Sequence, residues 1–93
     1  MRLLTHPLFP IGRLTATTAA VATVSAAEME FALNRHIVGD WGEVDEDDRQ
    51  ANDEALLCGL RFLSSYTNDS GVTFLIITEA DRSVTTILLP SDY

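Results

Sequence analysis

The sequence predicts an α+β fold in which two to three N-terminal helices pack on a three-stranded antiparallel β-meander. Helix-capping signals and apolar residues at helical spacing lie in the first two thirds of the chain. Three short apolar runs separated by turn signals follow in residues 61–93. With 93 residues, 46% of them hydrophobic, the chain can bury one core but not two. We therefore expect a single domain over residues 1–93, with an extended arm (1–13), a helical part (14–60) and a sheet (61–93).

The arm is predicted from its two prolines and from Gly12, which interrupt regular structure. Its apolar residues Leu8, Phe9 and Ile11 must then either dock on the domain or form an exposed apolar patch. After the arm, a threonine at position 15 or 17 can cap a short helix through TTAAVATV (residues 17–24). The β-branched residues in that run weaken the helical prediction.

A second helix is predicted from about residue 26 to about residue 37, because Ser25 and Glu28 form a capping box. Gly39 supplies its stop signal. The apolar spacing places one stripe of this helix against the core. The stripe comprises Met29, Phe31, Ala32 and His36.

A third helix should begin after Asp45, which can cap it, and should end at Gly59. Its predicted inward face consists of Ala51, Asn52, Ala55, Leu56 and either Cys58 or Leu60. Burial of Cys58 would disfavour its thiolate, so we expect this residue to be inert.

The sheet is predicted from RFLSSYT (61–67), VTFLIIT (72–78) and VTTILLP (84–90). The turn signals NDSG and EADRS separate these runs and favour two short hairpin connections. The second run is apolar on both faces, which is typical of a central strand covered by helices on at least one side. Pro90 ends the last strand.

Negative charge is concentrated in residues 40–54, which we call the acidic segment. This segment contains eight carboxylates and one arginine, a net charge of −7, whereas the whole chain sums to −8. Two interpretations are open: a solvated helix start whose carboxylates offset the helix dipole, or a surface that a cationic partner recognises. Two carboxylates would capture most of the capping gain, so eight are more than a helix start requires.

The remaining composition limits the classes of partner and compartment. The chain has no lysine and a pI near 4.4, so direct binding to nucleic acid or to an anionic membrane is not expected. The expected partner is a protein with a basic surface. The single cysteine allows no intramolecular disulfide and no cysteine-based metal cage, which favours a cytoplasmic protein. We expect no cofactor and no bound metal.

One candidate for chemistry is His36 with Asp40 and Asp81, since metal and acid/base sites use such residues. Their spacing is not diagnostic. We therefore favour structural roles for all three, with His36 at a helix end hydrogen-bonded to a backbone carbonyl or to Asp40. Trp41, in the GDWG motif (39–42), is expected to anchor a loop in the core. No serine lies in a pattern typical of a nucleophile and base.

The turn at residues 79–83 is a second candidate, because it carries three charges between two apolar strands. Arg82 is expected to contact Asp81 or Glu79 within the turn. In the competing interpretation, Arg82 and Glu79 contact a partner or lock onto the acidic helix.

Three stretches together resemble a family of small proteins of bacterial plasmids, integrative elements and phages: RHIVGDWGEVDEDDRQANDEAL (35–56), LSSY (63–66) and IITEADRSVTTILLPSDY (76–93). The resemblance covers nearly two thirds of the chain. Members are commonly labelled plasmid-related, or as a modification subunit of type I restriction enzymes. A methyltransferase needs a much larger nucleotide-binding domain with a glycine-rich loop, which this chain lacks. The resemblance therefore implies a mobile-element setting rather than an activity.

Together these observations favour a non-catalytic interaction protein of a mobile element, which inhibits a host defence complex of the CRISPR or restriction type. The acidic segment would imitate nucleic-acid phosphates and occupy a basic surface. The predicted contact residues are Glu43, Asp45, Glu46, Asp47, Asp48, Asp53 and Glu54, with Glu79 and Arg82 in the turn. Two alternatives stay open: a small enzyme or metal protein centred on the histidine and two aspartates described above, and a homodimer formed through Phe9, Leu8 or the outer strand.

Overall fold

A computed structural model describes residues 2–93, so Met1 of the predicted arm lies outside the described residues. Three helices and four strands build the domain. In chain order they are strand β1 (Arg13–Ala16), helices α1 (Thr18–Thr23), α2 (Ala26–His36) and α3 (Glu46–Cys58), strands β2 (Phe62–Thr67), β3 (Thr73–Thr78) and β4 (Val84–Leu88), and a 3-10 turn at Pro90–Asp92. The predicted α+β class is confirmed.

The sheet is mixed and has the strand order β1-β4-β3-β2. Strands β2, β3 and β4 form the predicted antiparallel meander, with β3 in the centre. The prediction of three strands was incomplete, because β1 pairs in parallel with β4 at the other edge. Its ends are held by the amide of Arg13, which donates to the Ser83 carbonyl at 2.9 Å, and by the amide of Thr17, which donates to the Ile87 carbonyl at 2.9 Å. Residues 13–16, expected at the junction of arm and helical part, are thus a strand.

The residues predicted to cap the helices do cap them in the structure. The Thr17 hydroxyl accepts from the Ala20 amide at 3.2 Å, and Ser25 and Glu28 form the reciprocal capping box. Asp45 caps α3. Gly59 ends α3 in the left-handed conformation, with φ of 71°. The starts of all three helices therefore follow from side chains adjacent in sequence.

The main core lies between α2 and one face of the sheet. From α2 it receives the side chains of Met29, Ala32, Leu33 and His36, and from the sheet those of Tyr66, Phe74, Ile76 and Ile87. Phe31, predicted in this stripe, is 71% exposed. That prediction was wrong because Leu33, and not Phe31, completes the stripe of positions 29, 32, 33 and 36.

Helix α3 contacts the rest of the domain through a narrow stripe. Only Asn52 and Ala55 are buried in it. The other residues predicted to face inward are exposed, namely Ala51, Leu56, Cys58 and Leu60. The prediction of a buried cysteine was therefore wrong. The physical reason is that α3 lies along an edge of the sheet, where a helix has one neighbour instead of a whole sheet face.

The outer edge of β2 is closed by side-chain and loop contacts. The side chain of Asn52 donates to the Leu63 carbonyl at 2.7 Å and accepts from the Leu63 amide at 3.0 Å. The Ser65 amide donates to the Trp41 carbonyl at 3.1 Å, and the Ser65 carbonyl accepts from the Glu43 amide at 2.7 Å. These contacts satisfy the outward backbone groups of an edge strand and fix the acidic segment beside it.

The arm docks through a second, aromatic cluster. Phe9 is buried with Trp41, Ala55 and Phe62. The Leu8 amide donates to the Ile37 carbonyl at 2.8 Å, while the Leu8 side chain remains 58% exposed. Within the described residues, no helix is long and apolar enough to span a bilayer.

Candidate protein-binding surface

The seven carboxylates predicted as contact residues in the acidic segment all have exposed side chains. They lie in the loop before α3 and on α3 itself. With Asn52 facing inward, the helical period places Glu46, Gln50, Glu54 and Leu57 on the outward side of α3. The inward-facing residues hold the helix against the sheet edge, so the charged side is directed to solvent.

Three of these carboxylates have structural roles. Asp45 accepts from the Asp48 amide at 2.8 Å as the N-cap of α3. Glu43 accepts from the Thr67 hydroxyl at 2.7 Å. Asp53 accepts from the indole nitrogen of Trp41 at 3.1 Å. These three hold the segment in place as well as contributing charge.

The other four have little compensation within the chain. Glu46 pairs with Arg49, whose hydrogen bond is the main reason that the pKa of Glu46 lies below its usual value. Asp47, Asp48 and Glu54 have no side-chain hydrogen bond or ion pair with any residue in the range 2–93. Their charges are balanced only by solvent ions, which a cationic partner would displace.

Asp40 is the member of the segment that is neutralised. Its carboxylate accepts two hydrogen bonds from the guanidinium of Arg35, at 2.8 and 3.1 Å, and this pairing holds the pKa of Asp40 below its usual value. The same guanidinium lies 4.8 Å from the ring centroid of Tyr66. Asp40 thus fixes the end of α2, as its predicted structural role requires.

The loop after α2 is organised around Trp41, which is 3% exposed. Its indole stacks on Phe62 with ring centroids 5.1 Å apart. The Tyr66 hydroxyl donates to the Asp40 carbonyl at 2.7 Å, and burial raises the pKa of this tyrosine. Trp41 is therefore the core anchor expected from the GDWG motif.

His36 is fully buried and is enclosed by aromatic rings. Phe9, Trp41 and Phe62 meet the imidazole edge to face, with centroid distances of 5.4, 5.6 and 6.4 Å. Both ring nitrogens have hydroxyl partners: Nδ1 lies 2.5 Å from the Ser64 oxygen and Nε2 lies 2.9 Å from the Thr78 oxygen. The predicted partners of His36, a backbone carbonyl or Asp40, were therefore wrong, because the imidazole faces hydroxyls of the sheet and the Asp40 carboxylate pairs with Arg35.

The chain of hydroxyls fixes the tautomer of His36. The Thr85 hydroxyl donates to the Ile11 carbonyl, so it must accept from Thr78, whose oxygen lies 2.8 Å away. Thr78 must then accept from the Nε2–H of His36, and Nδ1 accepts from Ser64. Burial lowers the pKa of His36 from 6.5 to about 3, so the imidazole is neutral near pH 7.

Asp81 lies in the exposed turn between β3 and β4, where its carboxylate accepts from the amide and the hydroxyl of Ser83 at 3.0 and 2.6 Å. Its hydrogen-bond partners are thus separate from those of His36 and of Asp40. No group of three His, Cys, Asp or Glu side chains within residues 2–93 could hold a metal ion. The arrangement that the enzyme hypothesis requires, a convergence of His36, Asp40 and Asp81, does not form.

Arg82 is directed inward and onto α3, not toward solvent. Its guanidinium donates to the carbonyls of Leu60, Glu79 and Ala55 at 2.7, 3.0 and 3.2 Å. It also lies 4.2 Å from the ring centroid of Phe62. Helix α3 has no basic residue in its last turn, and Arg82 supplies the positive charge that favours a helix C-terminus. Of the two turn residues predicted as contacts, only Glu79 keeps an exposed side chain.

The arm does not offer the dimer contact predicted for Phe9, because this side chain is 6% exposed and packs inside the aromatic cluster. That part of the homodimer hypothesis is wrong.

The chain matches no protein-family model, and no curated protein and no solved structure shows significant similarity to it.

The sequence analysis missed two residues that shape the surface. Asn52 was correctly predicted to face inward, but its hydrogen bonds to the β2 edge were not predicted, because their partner Leu63 lies eleven residues away. Phe31 was placed in the core and is instead an exposed aromatic ring on α2. A closer reading of the period could have found it, since Phe31 and Leu33 cannot both lie on one face of a helix.

Proposed function

We propose that this protein is a non-catalytic interaction protein that binds a basic protein surface through its acidic segment. The observation that carries the proposal is the set of exposed, uncompensated carboxylates Asp47, Asp48 and Glu54 on a helix that is fixed to the sheet edge through Asn52 and Ala55. Basic nucleic-acid channels are built to receive rows of negative charge, so they are the surfaces such a helix fits best.

The alternative explanation of the acidic segment is a solvated helix start that binds no partner. It accounts for Asp45, which caps α3, and for the carboxylates of the first turn. It does not account for Glu54, which lies in the third turn and has no cationic partner within the described residues. The charge therefore extends further along α3 than capping requires.

The target within this proposal is a host defence complex of the CRISPR or restriction type. This part depends on the resemblance to mobile-element proteins and on the basic nucleic-acid channels that such complexes present. The protein would compete with nucleic acid for that channel, without any chemical step of its own.

The test measures association of the protein with purified CRISPR effector and type I restriction complexes at low and moderate salt. Reversing three charges, in the variant Asp47→Lys/Asp48→Lys/Glu54→Lys, should abolish binding, and moderate salt should weaken binding of the unchanged protein. Circular dichroism would verify that the variant is folded, since lysine near the start of α3 opposes the helix dipole.

A matched pair of single variants locates the contact. Glu54→Lys and Glu79→Lys change the net charge equally, but one lies on α3 and the other in the turn before β4. The proposal expects a greater loss of affinity from Glu54→Lys. Equal affinity of the triple variant and the unchanged protein would refute electrostatic binding through the acidic segment.

A further inference from the structure

Phe31 separates two depressions on the outer side of α2. One, of about 450 Å³, lies toward the β2–β3 turn and is lined by Tyr66, Asn68 and Phe74. The other, of about 400 Å³, lies toward the arm and is lined by Leu4 and Val38. Ala27, Phe31 and Arg35 line both. Leu4, Phe31 and Val38 are exposed apolar side chains that line the second depression together, and contiguous exposed apolar surface is a feature of interaction sites.

The rim of these depressions is acidic. Glu28 and Asp69 border the first, and Glu30 and Asp40 border the second. Among residues 2–93, Arg35 is the only cation that lines either depression, and its guanidinium is already paired with Asp40. Asp40 and Glu28 already have partners in the fold, whereas the carboxylates of Glu30 and Asp69 have no hydrogen-bond or ion-pair partner within residues 2–93. The surroundings of the Phe31 ring therefore suit a group that is both flat and positively charged.

The fold itself shows how arginines occupy such surroundings. Arg35 lies over the Tyr66 ring while it pairs with Asp40, and Arg82 lies over the Phe62 ring while it donates to carbonyls. A guanidinium suits both contacts at once, because it is planar and weakly hydrated and has several donors around its edge. Phe31 offers a similar ring with no guanidinium within the described residues over it.

We propose that the depressions beside Phe31 bind an arginine side chain of the basic partner, with its guanidinium over the Phe31 ring and its donors on the flanking carboxylates. This inference depends on the proposed function for the existence of a basic partner. Attraction between charges alone does not fix where the partner lies on this protein. An arginine bound beside Phe31 would fix one point of the contact. Asp40 and Glu43 connect the depressions to the acidic segment, because Asp40 lines one and Glu43 bonds Thr67 at the border of the other.

The experiment titrates the ¹⁵N-labelled protein with a hexa-arginine peptide and, separately, with hexalysine, which has the same charge. We expect hexa-arginine to shift the amide signals of Ala27, Phe31 and Asn68, and to shift them more than hexalysine does. In Phe31→Ala, affinity for hexa-arginine should fall roughly two- to fivefold, the range for a cation over an exposed ring. Val21→Ala, which removes an exposed apolar side chain on α1 away from both depressions, should leave it unchanged.

Shifts confined to residues 45–54, equal for both peptides, would overturn the Phe31 site while leaving charge attraction to the acidic segment intact. Binding of neither peptide would count against both this inference and the proposed function. Since Phe31 is 71% exposed, its replacement should not disturb folding, so loss of binding in Phe31→Ala reports the contact itself.

Discussion

At the scale of single residues, His36 shows how a functional-looking side chain becomes part of the core. Three aromatic rings enclose it, and two hydroxyls satisfy both nitrogens. Protonation would place a charge in apolar surroundings and would reverse the hydrogen bond that Nδ1 accepts from Ser64. The fold therefore holds the imidazole neutral well below the pH at which a free histidine becomes charged.

This burial predicts a pH dependence of stability. The pKa of His36 is 6.5 in the unfolded chain and about 3 in the fold, so between these values the unfolded state binds one more proton. The free energy of unfolding should therefore not depend on His36 above pH 6.5. Between pH 6.5 and pH 3 it should fall by about 1.4 kcal/mol for each pH unit because of this group. Urea unfolding at a series of pH values measures the slope.

The matched variant is His36→Gln, whose amide can donate and accept but does not titrate. Lowered carboxylate pKa values, such as that of Asp40, add a further loss at acidic pH in both proteins. The difference between the two slopes isolates the histidine. Identical slopes in both proteins would contradict a neutral, buried His36.

Single residues also show the limit of sequence reasoning. Trp41 was predicted correctly as an anchor, because it is the single tryptophan of the chain and its large apolar ring lies in a short motif with two glycines, GDWG. Arg82 was expected either to contact Asp81 or Glu79 within the turn or to lock onto the acidic helix, and it contacts both Glu79 and α3, though through carbonyls and not through carboxylates. Its true partners are backbone carbonyls of residues 55, 60 and 79, and carbonyls leave no trace in the sequence.

At the scale of elements, the hydrogen bonds between α3 and the sheet edge come from one side chain, that of Asn52, while Ala55 packs in the aromatic cluster. The amide of Asn52 imitates a peptide group and pairs with the backbone of Leu63 as another strand would. These hydrogen bonds hold α3 beside β2, although the helix has no broad apolar face. This explains why the residues around it can be acidic.

We therefore expect Asn52→Ala to destabilise the fold by about 2 kcal/mol, because the amide and carbonyl of Leu63 lose their partners in a partly buried position. Chemical denaturation measures this loss, and amide hydrogen exchange at Leu63 should accelerate. Gln50→Ala provides the control, since Gln50 lies on the outward side of the same helix and should change stability by less than about 0.5 kcal/mol. Similar losses from both variants would show that Asn52 is not the attachment point.

The first and last residues of α2 and α3 could be predicted from the sequence. The part of the fold that each helix face contacts could not. Ser25, Asp45 and Gly59 act on backbone atoms a few residues away, so the sequence contains their full signal. The inward face of α3 depends on where the helix meets the sheet. At the sheet edge α3 buries two residues, whereas α2 on the sheet face buries four, and Leu56 and Cys58 remain exposed.

At the scale of the whole molecule, β1 joins the beginning of the chain to its end. Gly12 makes this possible: its φ is 62°, and a Cβ atom there would collide with the backbone carbonyls of Arg82 and Ser83. The four residues of β1 carry no recognisable strand pattern, and their partner β4 lies seventy residues away. The sequence analysis missed this strand for that reason.

Gly12→Ala should consequently destabilise the protein more than Gly59→Ala. Both glycines have a left-handed backbone, but a Cβ at Gly59 meets nothing within 4 Å. Gly59→Ala should cost about 1 kcal/mol from backbone strain alone, and Gly12→Ala about 1 to 3 kcal/mol more from the collision. Thermal and urea unfolding of the two variants make the comparison, and equal losses would contradict the tight crossing at Gly12.

The attachment of α3 also bears on how this protein can change over generations. The outward side of the helix contributes little to the fold, whereas Asn52, Ala55 and Gly59 hold the helix in place. Substitutions on the outward side should be nearly neutral for folding. Under the proposed function, the domain can therefore keep its architecture while a succession of point changes on this side alters which surface it recognises.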